Sequence, residues 1–347
     1  MSSRRRVQSF IRCSFALGNL LALGSLLALG SLAFVPFVRG QESNSPPRIV
    51  RPGVDTAGVS RSMSALQTTA QIPVAGSPDW AVVTQDAVWI TSARANHVVQ
   101  LLAATSKPGL VVDVQRPCSG LAYGFGSVWI PSCGAHVVLR VDAATGKTLA
   151  AIPADPANSE GGITAGAGAV WMVTKPATLI RIDPVTNSVA ATFALPTGSQ
   201  NPLYSDGFLW ISSTEHDQLL KVDPATGKVV TKIDVGPRPR FLTSGAGSIW
   251  TLNQGDGTVS RVDMAEGRTV ASIACGIPGP GGEITFGAGA VWPTNIGFPV
   301  TQIDAANNKV LRQWGGPGGD GIKFGFDSLW LSNGQEQTVW RFSPTQK

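Results

Sequence analysis

Four carboxylates are the side chains of this 347-residue sequence best suited to metal chemistry: Asp79, Glu160, Glu283 and Asp320. Each lies in a polar or glycine-rich segment between two apolar stretches of the chain. Carboxylate oxygens are the ligands that Mg²⁺ and Ca²⁺ prefer. If the fold brings these segments together, Glu160, Glu283 and Asp320 are candidate ligands for one of these cations. Ordinary solvated loops are the simpler interpretation of the same residues.

Histidine is the side chain best suited to general-base catalysis near neutral pH. The sequence contains three histidines, His97, His136 and His216. His216 directly follows Glu215, and this adjacent pair is the catalytic candidate if the protein is an enzyme.

Two of the four cysteines flank a predicted β-hairpin. Cys118 precedes Phe125 by seven residues and Cys133 follows Gly126 by seven, which would place the two cysteines opposite each other on adjacent antiparallel strands. In an exported chain they would form a disulfide. Two buried thiols or two metal ligands are the alternatives. Cys275 is left as a free thiol.

The composition favours turn-rich β structure over helices. Charged residues make up 14% of the chain, which also contains 40 Gly and 24 Pro, and this excludes coiled coils and helical bundles. With 43% hydrophobic residues and ten Trp, the chain can build a substantial core, so general disorder is excluded.

The positive charge is concentrated at the N terminus. The chain has 27 basic and 22 acidic residues, a formal charge of +5, and five arginines but no acid lie within residues 1–40. The remainder is therefore neutral and lacks the excess of basic residues typical of nucleic-acid binding. We expect no nucleic-acid partner.

Residues 1–40 have the basic start, apolar middle and small residues of an export signal. Residues 13–38 carry no charge and are also long enough for an uncleaved membrane anchor. Residues 41–66 are polar and rich in Ser and Pro, which predicts a flexible tether. The folded domain would then span residues 67–347 and lie outside the cytoplasm, in the periplasm or the extracellular space.

An aliphatic–Trp pair recurs about every 40 residues. The seven tryptophans of these pairs are Trp89, Trp129, Trp171, Trp210, Trp250, Trp292 and Trp330. Short alternating strands and Gly-x-Gly turns at this period are typical of propeller blades, so we predict an all-β, seven-bladed propeller with four strands in each blade. One Trp at the same position of every blade predicts a core layer.

The last repeat has no fourth strand of its own. The segment 69–74 precedes the first repeat and resembles the fourth strands of the other repeats. An N-terminal strand that completes the last blade would close the ring and cover two exposed sheet edges.

The repeated motifs Gly-x-Gly-(Ala/Ser)-(Val/Ile)-Trp and Arg-(Val/Ile)-Asp-Pro-x-Thr-(Gly/Asn) resemble those of exported seven-bladed propellers of the virginiamycin B (streptogramin) lyase-like and YVTN types. The resemblance covers residues 69–347 and implies the propeller fold. For the lyase it also implies a Mg²⁺-assisted elimination that opens a cyclic depsipeptide, with a histidine as general base. This sequence departs from that pattern, because no histidine has the Glu-x-His spacing associated with the lyase.

In a propeller, the loops that lead into the innermost strands and those that leave the second strands lie on one face. By alignment of the repeats, these loops contribute the candidate ligand-binding residues Asp79, Trp80, Glu160, Arg238, Arg240, Asn253, Glu283, Asn295, Asp320 and Asn333. A concave surface with several convergent polar groups is the default ligand site. Trp80 would either stack on a flat ligand or cap the core of the first blade.

The sequence therefore favours an exported binding module that acts as a monomer. Its partner at this face would be a small molecule, a peptide fragment or an envelope protein, and a cofactor, if one is bound, would be Mg²⁺ or Ca²⁺. Contact with a membrane is expected only through residues 13–38, if these are not cleaved. The alternative is a Mg²⁺-dependent, streptogramin B lyase-like enzyme.

Overall fold

The structure is a ring of seven β-sheets. The computed structural model describes residues 58–156, 161–175 and 177–346, and these residues form 29 strands and two short 3₁₀ turns. The innermost strands of neighbouring sheets contact one another all the way round, the first and the last included. The protein is therefore a seven-bladed β-propeller, as the repeat predicts.

Blades 1 to 5 each use four strands that are consecutive in the chain. Blade 1 comprises β3 (Pro78–Val83), β4 (Ala87–Ser92), β5 (His97–Leu102) and β6 (Lys107–Asp113). Blade 2 comprises β7 (Ala122–Gly124), β8 (Ser127–Ser132), β9 (Val137–Asp142) and β10 (Thr148–Pro153). Blade 3 comprises β11 (Ile163–Gly166), β12 (Ala169–Thr174), β13 (Thr178–Asp183) and β14 (Ser188–Ala194).

The remaining blades continue this order. Blade 4 comprises β15 (Ser199–Ser205), β16 (Phe208–Ser213), β17 (Gln218–Val222) and β18 (Val229–Asp234). Blade 5 comprises β19 (Pro239–Gly245), β20 (Ser248–Asn253), β21 (Thr258–Asp263) and β22 (Arg268–Ala274). Blade 6 comprises β23 (Ile284–Gly287), β24 (Ala290–Pro293), β25 (Val300–Asp304), β26 (Lys309–Gly315) and β1 (Ser60–Ser62). Blade 7 comprises β27 (Ile322–Gly325), β28 (Ser328–Asn333), β29 (Thr338–Phe342) and β2 (Thr68–Pro73).

An N-terminal strand closes the ring. Strand β2 pairs antiparallel with β29, with Gln71 opposite Trp340 and Ile72 opposite Val339. Blade 7 thus gains its fourth strand from the other end of the folded chain. The predicted closure is confirmed.

Blade 6 carries a fifth strand that the repeat does not predict. Strand β1 pairs with β26 in parallel, and the Val59 carbonyl accepts a hydrogen bond of 2.9 Å from the Gln313 amide. Met63, in the 3₁₀ turn Met63–Ala65, and Leu66 then pack in a hydrophobic cluster with Trp314. The last residues of the expected tether, 41–66, therefore form part of blade 6. Residues 1–40 lie outside the described residues.

The seven repeat tryptophans form the predicted core layer. Each of them is fully buried, and six donate an indole N–H hydrogen bond of 3.0–3.1 Å to the carbonyl five residues earlier. At Gly166, Gly245 and Gly287 this carbonyl belongs to the first glycine of the Gly-x-Gly element. An added Cβ would lie 2.0–2.2 Å from an aromatic ring of the next blade, so close packing between blades requires glycine here.

The second glycine of the element serves the hairpin turn. In blade 2, Phe125 and Gly126 both have positive φ, 56° and 67°, as a type I′ turn requires. Blade 7 uses Phe326 and Asp327 instead, with φ of 54° and 51°. These turns lie on one face of the ring, which we call the hairpin face.

The repeat arginines connect neighbouring blades. The Arg261 guanidinium lies 4.9 Å from the ring centre of Trp250. It donates hydrogen bonds of 2.8 Å to the Ala305 carbonyl and 3.0 Å to Asn308 Oδ1 in the next blade. Arg341 makes the equivalent bond from blade 7 to the Ala103 carbonyl of blade 1, at 2.6 Å. These contacts connect the third strand of one blade to the turn between the third and fourth strands of its neighbour.

No helix within the described part of the chain is long and apolar enough to cross a membrane.

Candidate functional site

The face opposite the hairpin turns carries the irregular connections. The segments that lead into innermost strands (the inner loops) meet the segments between second and third strands (the outer loops), because the strands pair antiparallel: Pro78 lies opposite Ser92, and Pro239 opposite Asn253. We call this surface the loop face. The predicted site residues lie in these segments or beside them.

In every blade, a polar residue lies at or just after the end of the second strand. The residue three places after the repeat Trp is polar and buried in all seven blades. These residues are Ser92, Ser132, Thr174, Ser213, Asn253, Asn295 and Asn333. Ser132 Oγ, for example, donates to the Gln115 carbonyl at 2.6 Å and accepts from the Ala135 amide at 3.3 Å.

The three predicted rim asparagines occupy this position and differ from one another. Asn253 is fully buried, and its Nδ2 donates hydrogen bonds of 2.9 Å to Thr258 Oγ1 and to Ser260 Oγ. Asn295 Nδ2 contacts Cys275 Sγ at 4.0 Å. Asn333 Oδ1 accepts from the Glu336 amide at 3.3 Å. The Asn253 side-chain amide is therefore bonded within blade 5 and is not available to a ligand.

Hydroxyl groups two places after the repeat Trp join the inner loops of adjacent blades. Ser212 Oγ donates to the Arg240 carbonyl at 2.8 Å. Thr294 Oγ1 donates to the Asp320 carbonyl, and Ser332 Oγ donates to that of Asp79. The backbone at three of the predicted rim residues is fixed by these bonds.

Glu283 is buried at the junction of blades 6 and 7, with 5% of its surface exposed. Its Oε1 forms an ion pair with Lys323 Nζ, and its Oε2 accepts a hydrogen bond of 2.9 Å from the Ile322 amide. Burial raises the pKa of Glu283, and the charge of Lys323 opposes this effect in part. Both carboxylate oxygens are engaged, so Glu283 is poorly placed to bind a cation.

Asp320 makes the reciprocal contact between the same blades. Its Oδ1 accepts a hydrogen bond of 2.7 Å from the Gly282 amide of the blade 6 inner loop. The side chain reaches solvent, but the surrounding protein raises its pKa. Asp320 and Glu283 therefore hold the inner loops of blades 6 and 7 together through these contacts.

A cleft of about 500 Å³ opens on the loop face over blades 6, 7 and 1. Much of its wall is glycine and proline backbone. Polar side chains from all three blades also line the cleft: Ser77, Asp79, Arg94, Asn295, Asp320, Asn333 and Gln335. Four of the predicted rim residues, Asp79, Asn295, Asp320 and Asn333, are thus brought to one cavity.

The central channel holds a second, smaller cavity of about 310 Å³ between the innermost strands. Glu283 and Lys323 line it together with Asn201. Trp80 is buried and packs against Phe241, with ring centres 5.3 Å apart. Trp80 therefore contributes to the wall of the channel and to the core beside it.

The other predicted residues lie apart from the cleft. Glu215 and His216 are exposed in the outer loop of blade 4, where His216 Nδ1 lies 3.2 Å from Ser213 Oγ. Arg238 is exposed, and its amide donates a hydrogen bond of 2.8 Å to Asp217 Oδ1. Glu160 lies outside the described residues. Elsewhere, no group of three or more His, Cys, Asp or Glu side chains within the described ranges is arranged to hold a metal ion.

The expected disulfide joins Cys118 and Cys133, whose Cα atoms are 5.8 Å apart. It links the inner loop of blade 2 to the residue that follows strand β8. Cys118 precedes strand β7, so the bond connects two loops and not two paired strands. Cys275 is free and buried, and burial raises the pKa of its thiol to about 12.

Lys323 is a site residue that motif reasoning missed. It lies directly opposite Trp330 on strand β27. The residues opposite the repeat Trp in the other six blades are uncharged: Val82, Ala122, Thr164, Leu203, Thr243 and Thr285. An alignment of the repeats in this register would have revealed Lys323 as the exception.

These features define a seven-bladed propeller with a polar cleft on its loop face. A family described as a repeat of unknown function (DUF6923) matches residues 133–261. The fold is similar to a solved structure of streptogramin B lyase, with a TM-score of 0.63 and 19% identity over 78% of this chain and 93% of that chain. No curated protein matches the sequence. At this identity the likeness establishes the fold alone.

Proposed function

We propose that this protein is a binding propeller that holds a small polar ligand on its loop face. The observation that carries the proposal is the cleft of about 500 Å³ over blades 6, 7 and 1. It combines charged and amide side chains with a glycine-rich wall, and its size is within the usual range for small-molecule sites. The carboxylates of Glu283 and Asp320 and the hydroxyl hydrogen bonds between blades hold the loops of the cleft in place without a ligand.

We further propose that the protein is exported and acts outside the cytoplasm. The disulfide between Cys118 and Cys133 is compatible with an oxidising compartment. The signal-like residues 1–40 give independent sequence support.

Thermal denaturation in the presence of small polar compounds, Mg²⁺ and Ca²⁺ tests the binding function. We expect at least one compound to raise the melting temperature of the wild-type protein and to do so less in Asp320→Asn and Arg94→Gln. Asp206→Asn, in the hairpin turn of blade 4, is the matched control and should respond like the wild type. If no compound stabilises the protein, a scaffold role replaces the proposed one.

The alternative function is a Mg²⁺-dependent lyase. Its support is the fold shared with streptogramin B lyase along 93% of that chain. Incubation with Mg²⁺ and a type B streptogramin should leave the cyclic substrate intact under the binding proposal. Linear product that disappears in Glu215→Gln and His216→Gln would establish the enzyme instead.

A further inference from the structure

We propose that the cleft over blades 6, 7 and 1 binds a short peptide through its free termini and one backbone carbonyl. This inference rests on the proposed function, because it specifies the chemistry of the ligand on the loop face. It derives from three side chains that line the cleft, Asn333, Asp320 and Arg94.

Asn333 is buried but has an amide group without a hydrogen-bond acceptor. Its side chain is 2% exposed. In the part of the chain that the structure describes, Asn333 Oδ1 accepts from the Glu336 amide and Nδ2 donates to nothing. A Cβ built on Gly318, which lines the cleft, would lie 3.0 Å from this Nδ2. The amide N–H groups therefore point to the cleft.

The comparison with blade 5 shows why this amide lacks a partner. Asn253 holds the equivalent position, and its Nδ2 is satisfied by Thr258 and Ser260. In blade 7, the hydroxyl of Thr338 accepts instead from Trp340 Nε1, at 3.0 Å, and Trp340 itself replaces the serine. An amide N–H that the described residues leave unsatisfied at the wall of the cleft is available to an acceptor from a ligand. A ligand carbonyl would supply the missing acceptor.

The charges that line the cleft are arranged for a zwitterion. Asp320 Oδ1 accepts from Gly282, while Oδ2 accepts no hydrogen bond from any described residue and is available to an ammonium group. Arg94 is exposed in the outer loop of blade 1 and can pair with a carboxylate. Asp79 is the third charged side chain that lines the cleft. Glu283, which is close to Asp320 but lines the channel, is paired with Lys323.

The remaining wall suits a peptide with small or apolar side chains. Ile296 lines the cleft and is 50% exposed, so its side chain offers apolar surface to a ligand. Pro280 and Pro317 add further apolar surface. Seven glycines also line the cleft and leave space for a ligand: Gly281, Gly282, Gly297, Gly316, Gly318, Gly319 and Gly334.

These glycines make the site observable. The full chain, labelled selectively with ¹⁵N-glycine, is titrated with trialanine and its glycine amide signals are followed by NMR. We expect the signals of Gly282 and Gly318 to shift. Those of Gly120 and Gly162, which line the channel, should stay in place. Trialanine blocked by N-acetylation and C-amidation should bind at least about tenfold more weakly.

Three substitutions assign the contacts. Asp320→Asn keeps an acceptor for the Gly282 amide but removes the charge, and it should weaken trialanine about tenfold. Arg94→Gln should weaken trialanine but not its C-amidated form. Asn333→Ser places the residue found in blades 1, 2 and 4 at this position and should weaken both forms. Asp327→Asn, with the same charge change on the hairpin face of blade 7, is the matched control and should bind like the wild type.

Shifts confined to the channel glycines, or equal affinity for blocked and free trialanine, would overturn the inference. So would an absence of trialanine binding. The proposed function would still stand if another compound in the thermal screen stabilised the wild type but not the Asp320→Asn or Arg94→Gln variant. Without any such compound, both would fall.

Discussion

Two sets of acidic residues in this propeller have opposite electrostatic surroundings. Asp142, Asp183 and Asp223 lie at the ends of the third strands. Hydrogen bonds from the turn that follows lower their pKa values, from the Thr145 hydroxyl first at Asp142 and from the backbone first at Asp183 and Asp223. Glu283 and Asp320 lie on the loop face, and desolvation raises theirs. The first set recurs from blade to blade, whereas the second occurs once.

This difference separates framework from site. A carboxylate that terminates a strand is useful in its charged form because that form accepts turn hydrogen bonds. A carboxylate held where its charge is unfavourable is stabilised by the rest of the fold, and such perturbed groups concentrate at functional sites. The junction of blades 6 and 7, beside the cleft, is where the repeat is broken, by Glu283, Asp320 and Lys323.

The largest expected effect concerns the framework. Deletion of residues 1–75 removes strand β2 and opens the ring between blades 7 and 1. The lost stability should be comparable with that of a whole domain, about 5–15 kcal/mol, and urea denaturation should lose its single cooperative transition. Deletion of residues 1–66, which removes β1 and its 3₁₀ turn but keeps β2, is the control and should retain the transition. Identical curves for the two deletions would disprove closure by β2.

A substitution in the core layer should have the next largest effect. Trp250→Ala removes a fully buried ring, its indole hydrogen bond and the surface on which Arg261 lies. We expect a loss of roughly 3–5 kcal/mol in the free energy of unfolding from urea denaturation. Glu215→Ala on the loop face should change it by less than about 0.5 kcal/mol. Equal losses would contradict the division between framework and site.

Much of this framework could be predicted from the sequence, because repetition makes each signal visible seven times. The blade number, the tryptophan layer and the closing strand follow from periodic positions. The disulfide between Cys118 and Cys133 follows from the spacing of the two cysteines around one hairpin turn. Strand β1 could not be predicted, because residues 58–66 belong to no repeat and their pairing with β26 depends on a distant sheet edge.

The side-chain contacts at the candidate site are harder to predict from the sequence, for a physical reason. Alignment of the loops brought Asp79, Asn295, Asp320 and Asn333 to one face, and the structure places them in one cleft. The alignment could not show that Glu283 is paired with Lys323. The alignment also could not show that described residues satisfy Asn253 Nδ2 but not Asn333 Nδ2. These properties depend on side-chain contacts between blades, which vary while the strand pattern stays constant.

The disulfide should contribute an intermediate amount. Replacement of both Cys118 and Cys133 by Ala removes a cross-link over 15 residues, and we expect a loss of roughly 3 kcal/mol. Dithiothreitol should destabilise the wild type by a similar amount and leave the double variant unchanged in urea denaturation. An effect of the reductant on the double variant would show that the loss arises elsewhere.

The smallest expected effect is a change in the pH dependence of stability, measured as the midpoint of urea denaturation. One substitution in each set of acidic residues tests the difference between them. The folded pKa of Asp142 is lowered, so its stabilising contribution is present above the unfolded pKa of about 3.8 and is lost as the pH falls through the folded value. Asp142→Asn should therefore destabilise the protein at neutral pH and have less effect in acid.

Glu283 should behave in the opposite way. Its folded pKa is raised above the ordinary glutamate value of about 4.5, so the unfavourable ionisation is absent in acid and develops as the pH rises through the folded value. Relative to the wild type, Glu283→Gln should gain stability as the pH rises above about 4.5. As the pH rises, the urea midpoint of Asp142→Asn should therefore fall relative to the wild type, and that of Glu283→Gln should rise. Parallel curves would mean that the ion pair with Lys323 outweighs burial, and that Glu283 belongs electrostatically with the turn aspartates.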